Sequence, residues 1–113
     1  MKISVRKKGN VNILDLTGKM VIGAGDKLLG DKVREMLESG ERFFILNMEK
    51  VPWLDSGGIG EVVASFKRVR AKDGTIKLVK LSSKAHDLFT MTALTKVFEI
   101  YGNEDDALGS FAG

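Results

Sequence analysis

The 113-residue chain is 43% hydrophobic and 29% charged, with 18 Lys and Arg against 15 Asp and Glu for a formal net charge of +3. This is ordinary for a soluble globular protein, and the length suits one domain over residues 1–113. The absence of cysteine excludes disulfides and thiolate chemistry, and a lone histidine, His86, leaves too few ligands for a zinc site.

Lys2 to Lys8 and Val11 to Thr17 read as two strands around a Gly9-Asn10 turn. Gly18 to Gly25 is a glycine-bearing connection. From Asp26 a helical pattern places Leu29, Val33, Met36 and Leu37 on one face, and Ser39-Gly40 stops it. Phe43 to Leu46 is a continuous apolar run, the mark of a strand covered on both faces.

The next helix runs from about Gly57 to Ala71, with Ile59, Val62, Val63, Phe66 and Val69 facing inward. Asp73-Gly74 turns the chain into a strand, Thr75 to Leu81. A short helix from Ser83 to about Met91, a strand from Val97 to Tyr101 and a helix from Asn103 to Phe111 follow. Strands alternating with helices imply parallel pairing, with one antiparallel pair from the opening hairpin. The expected fold is a small α/β domain with a five-stranded mixed sheet and about four helices.

The basic run Lys67 to Lys72 reads as the solvated end of a helix, where cations favour the dipole, and does not mark a nucleic-acid surface. No apolar stretch approaches the ~20 residues that cross a bilayer, and the first residues lack a signal-peptide core. A cytoplasmic protein with no membrane or direct nucleic-acid contact is expected.

Chemistry concentrates at Trp53-Leu54-Asp55-Ser56-Gly57-Gly58-Ile59-Gly60, where an apolar run gives way to a helix. A helix N-terminus presents unpaired N–H groups and partial positive charge, so Ser56 is placed to cap, carry phosphate or act as a nucleophile. The nucleophile reading fails. Asp-Ser-Gly-Gly lacks the glycine that trypsin-like proteases place before the aspartate, Leu54 stands where a nucleophile elbow needs glycine, and His86 has no orienting partner. His86 reads as a helix-surface residue. The glycines at 18, 23, 25 and 30 match neither the dinucleotide fingerprint nor a phosphate loop.

Capping and phosphorylation remain. Capping explains Ser56, but two glycines in a first turn cost a helix up to ~1 kcal/mol each. They make sense where a protein or phosphate approaches the backbone closely. Trp53 reads equally as a core anchor or part of a docking surface.

Leu54-Asp55-Ser56-Gly57-Gly58-Ile59-Gly60 resembles the Asp-Ser-x-Gly-Leu-Gly motif of STAS domains, the anti-sigma factor antagonists of bacteria. Leu14-Asp15-Leu16-Thr17-Gly18 is similar to that family's second strand and its exit. Phe44 to Met48 resembles the strand before the motif, and Asp87 to Leu94 the Leu-Phe-x-x-x-Gly-Leu turn, with Ala93 where glycine is usual. The likeness spans nearly the whole chain in order.

The resemblance implies a non-enzymatic, cofactor-free and metal-free switch. In that family the serine after the aspartate is phosphorylated by an anti-sigma factor that is also a serine kinase. The unphosphorylated form binds that factor and frees the sigma factor, and a phosphatase restores it. This assigns phosphorylation to Ser56 and partner contacts to Lys19, Trp53, Asp55, Gly57, Gly58 and Ile59, in a monomer or weak dimer. Kinase-binding members often carry acids where Lys19 and Val21 stand here. The alternative is therefore a STAS scaffold or adaptor of a stress-sensing or lipid-transport complex, not regulated by phosphorylation; a small-ligand or nucleotide-binding STAS domain is a third reading.

Overall fold

A computed structural model describes residues 1–20 and 27–111. Its elements follow in the order β1 (Lys2–Lys8), β2 (Val11–Thr17), α1 (Leu28–Glu38), β3 (Phe43–Lys50), α2 (Ser56–Arg70), β4 (Thr75–Val79), α3 (Ser83–Met91), β5 (Ile100–Tyr101) and α4 (Glu104–Ser110). The sheet order is β1-β2-β3-β4-β5. β1 and β2 form an antiparallel hairpin, and every later pair is parallel. The expected five-stranded mixed sheet with four helices is what forms.

This order sets the layers. Three successive crossovers, each moving one strand along the sheet with the same hand, must put their helices on one face. The apolar side chains of α1, α2 and α3 accordingly share a core with Leu14, Leu16, Phe44, Leu46, Ile76 and Leu78. The other face holds a smaller cluster of Val11, Ile13, Ile45 and Val79, covered by Ala107, Leu108 and Phe111 from α4 and the residue after it. β2 and β3 are buried without a break over Val11 to Leu14 and Phe44 to Leu46 because both faces are covered there.

Helix ends follow local chemistry. α1 ends at Ser39, with Gly40 next at φ +96, a left-handed conformation that glycine adopts without strain. Asn103 caps α4, its side chain accepting from Asp106 N at 2.8 Å. The predicted helix opening at Asp26 and most of the Gly18 to Gly25 connection lie outside the described residues.

Several expectations are revised. Val97 to Tyr101 is not one strand: Ala93 turns the chain left-handed at φ +61, a 3₁₀ turn takes Leu94–Lys96, and only Ile100–Tyr101 pairs with β4. The apolar run there reflects Phe98, which is buried against Phe66 and Phe89 at ring separations of 4.8 and 5.8 Å. β4 ends at Val79, since Lys80 sits at φ +58. On α2, Ile59, Val62 and Val69 are buried as expected, whereas Val63 and Phe66 lie at the core margin.

Candidate partner-docking site

The site is built where two chain segments leave the sheet side by side. After β2, Gly18 N donates to Lys50 O at 2.9 Å and Met20 N to Trp53 O at 2.9 Å. Asp55 N donates back to Met20 O at 3.3 Å, and Met20 and Leu54 form a parallel bridge. Both are buried, at 2% and 1% exposure. The exit of β2 therefore fixes the position at which α2 starts.

Asp55, not Ser56, caps that helix. Asp55 is extended (φ −96, ψ −177), and its Oδ1 accepts from Gly58 N at 2.7 Å while its carbonyl accepts from Ile59 N at 2.9 Å. A charged cap satisfies an orphan N–H and complements the positive end of the helix dipole. Ser56 is the first helical residue and is exposed. Its hydroxyl is thus released from the capping task that the sequence left open to it, at a position where phosphate charge is tolerated.

The glycines divide. Gly58 is buried, and a methyl group there would overlap the Met20 carbonyl oxygen. The close approach expected from an outside protein or phosphate is, at Gly58, made by the chain's own backbone. Ile59 likewise points into the core at 8% exposure, so neither residue offers a side chain to a partner. Gly57 is half-buried. Exposed beside Ser56 are Trp53, at 45%, and Lys19 on the neighbouring segment. Trp53 is therefore not a core anchor. Met20, which sequence reasoning did not single out, is the platform of the site; its signal was only an apolar residue after a glycine exit.

His86 is exposed on α3, as expected of a helix-surface residue. A separate polar network pins α4 to the hairpin on the opposite face. Arg6 Nε meets Asp15 Oδ2 at 2.6 Å and its Nη2 meets Glu104 Oε1 at 2.6 Å, while Lys8 reaches Glu104 at 2.9 Å. The guanidinium holds both carboxyls below the usual carboxylate range, and the two carboxylates push Arg6 up in turn.

A STAS domain model matches residues 2–107. The chain belongs to the STAS domain family. It is 30% identical to the anti-sigma-B factor antagonist of Bacillus subtilis, across 88% of this chain and 92% of that one. Identity to the anti-sigma F factor antagonist of Paenibacillus polymyxa is 27%, across 96% and 92%. Among solved structures, an anti-sigma factor antagonist from Mycobacterium paratuberculosis superposes with a TM-score of 0.85 at 18% identity, covering 99% of this chain and 94% of that one. SpoIIAA of Bacillus in its phosphorylated form gives 0.74 at 19% identity, covering 97% and 99%. These structures share the fold. No helix among the described residues is long and apolar enough to cross a membrane.

Proposed function

We propose that this chain is a non-enzymatic anti-sigma factor antagonist that switches partners through phosphorylation of Ser56. The observation that carries this reading is the separation of tasks at the α2 N-terminus: Asp55 holds the helix, and Ser56 stands exposed with its hydroxyl free of the cap. The names of the relatives from Bacillus subtilis and Paenibacillus polymyxa supply the partner class, an anti-sigma factor.

A phosphoryl group on Ser56 adds about −1.5 to −2 charge and three acceptor oxygens. Because Asp55 keeps the cap, the change falls on the docking surface and not on the fold. The unphosphorylated face of Trp53, Ser56 and Lys19 binds the anti-sigma factor; the phosphorylated face repels it by bulk and charge. A kinase adds the group, with ATP as donor, and a phosphatase removes it.

Lys19 favours a second reading. An exposed lysine stands where kinase-binding members often carry an acid, which suits an adaptor that is never phosphorylated. Intact-mass measurement after incubation with the cognate kinase and ATP decides. A gain of one phosphoryl group in the wild type, absent in Ser56→Ala, supports switching; an unmodified wild-type chain that still binds its partner leaves the adaptor.

A further inference from the structure

We infer that the outer edge of β1 pairs antiparallel with the β1 edge of a second copy of this chain, about a two-fold axis at Val5. β1 is the outermost strand of the sheet, beside β2, and every residue of it is exposed except the half-buried Ile3. A sheet edge presents unpaired N–H and C=O groups, and proteins blunt it with a short strand, a proline, a bulge, a cover or charge. β5, at the opposite edge, has 2 residues. β1 has 7, with neither proline nor bulge, since Lys2 to Lys8 pair with Thr17 to Val11 in an unbroken register.

Charge is the protection that remains, and most of it is engaged within the chain. Arg6 meets Asp15 and Glu104, Lys7 meets Glu41 at 2.7 Å and Lys8 meets Glu104 at 2.9 Å. Lys2 is the strand's one cation without an ion pair among the described residues. Repulsion between two such edges is correspondingly weak. The same neutralisation disfavours an acidic extended segment of another protein, the other natural occupant of a basic edge. At the centre of the strand stands Val5, an apolar side chain left 40% exposed.

The backbone fixes the register. Gly9-Asn10 is a two-residue turn with Gly9 at φ +62, so Lys8 and Val11 form the hydrogen-bonded pair that closes the hairpin. Alternation then turns the backbone groups of Lys2, Ser4, Arg6 and Lys8 toward β2 and those of Ile3, Val5 and Lys7 outward. An antiparallel strand centred on Val5 matches all of the outward groups: Val5 meets its counterpart, and Ile3 meets Lys7 of the other copy. A centre at Ser4 or Arg6 would oppose groups already paired to β2. Lys2 falls opposite Lys8, whose charge Glu104 offsets. Because the two strands run in opposite directions, the docking faces of the two copies point away from each other. The dimer thus offers two Ser56 sites at once, and its formation does not rest on the switching reading.

Sedimentation equilibrium of the full chain, from micromolar to millimolar concentration, should show reversible passage from one chain to two. Over the same range the amides of Ile3, Val5 and Lys7 should exchange with deuterium more slowly, and those of Ser4 and Arg6, already bonded to β2, should change less. Val5→Lys, at an exposed position, sets like charges opposite each other and should weaken the dimer at least about tenfold with the fold intact. Val5→Pro removes an outward N–H and no bond to β2, and should act likewise. A chain that stays monomeric at millimolar concentration would overturn the proposal. So would a dimer indifferent to Val5→Lys, or one that leaves the Ile3, Val5 and Lys7 amides unprotected. Protection of those amides only on addition of an acidic extended peptide would overturn it too, and assign the edge to another protein.

Discussion

The Asp55 carboxylate accepts a hydrogen bond from the Gly58 backbone N–H at 2.7 Å, so the residue that holds the helix start is the neighbour of the residue proposed to switch. Removal of a charged cap costs a helix about 0.5–2 kcal/mol. Asp55→Ala should therefore lower stability by about 1 kcal/mol in urea denaturation, while Ser56→Ala stays within ~0.5. Equal losses at the two positions would return the cap to Ser56.

The two glycines flanking Ile59 should respond oppositely. A methyl group on Gly58 meets the Met20 carbonyl, whereas one on Gly60 meets nothing within 4 Å. Gly58→Ala should cost about 1–3 kcal/mol through overpacking. Gly60→Ala should stabilise by about 0.5–1 kcal/mol, because alanine loses less backbone freedom in a helix. Thermal melts of both variants check this, and a stabilising Gly58→Ala would mean that the β2 exit does not press on α2.

Ala93 adopts the left-handed conformation at φ +61 where the family pattern has glycine. Relief of strain, about 1 kcal/mol or more, outweighs the entropy that glycine adds to the unfolded chain. Ala93→Gly should hold or raise the melting temperature. Ala93→Val, β-branched at positive φ, should lower it clearly. A stability-neutral valine would contradict the assigned backbone.

Arg6 depresses the folded-state values of Asp15 and Glu104 below their ordinary 3.8 and 4.5. Stability from such groups is fully present above the unfolded values and is lost as pH falls through the folded ones. The melting temperature should be flat above about pH 5.5 and decline below about pH 4, modestly, because the groups are partly exposed. Arg6→Met should shallow that decline. An unchanged acid limb in the variant would show that other carboxylates govern it.

At the docking face, Trp53 is the large exposed side chain and Lys19 the neighbouring cation. Trp53→Ala should weaken binding to the cognate anti-sigma factor by about 2 kcal/mol or more, as an anchor residue does, without lowering the melting temperature. Lys19→Glu should slow association, less so as salt rises, if the partner is acidic there. Binding kinetics at two salt concentrations measure both, and indifference to both changes would place the docking surface elsewhere.

The sequence by itself determined which elements form and in what order along the chain. Alternating strand and helix patterns, the Gly9-Asn10 turn, the mostly apolar β2 and the apolar run Phe43 to Leu46 of β3 carry the five-strand mixed sheet, because burial periodicity and turn chemistry are local properties. The Asp55-Ser56 motif and its place at a helix mouth were legible for the same reason. The Val97 to Tyr101 segment was misread because a 3₁₀ turn burying Phe98 and a short edge strand give the same run of apolar residues.

Only the tertiary structure decided what each motif residue does. Sequence could not separate Ser56 from Asp55 as the cap, since both side chains suit the task and the choice depends on where the helix starts. That start is set by Met20, bridged to Leu54 from a segment more than thirty residues earlier. The same contact turned Gly58 inward and left Trp53 outside. Contacts between residues far apart in the chain leave no periodic trace, and for that reason the platform beneath the site and the place of β1 at the sheet edge became visible only in three dimensions.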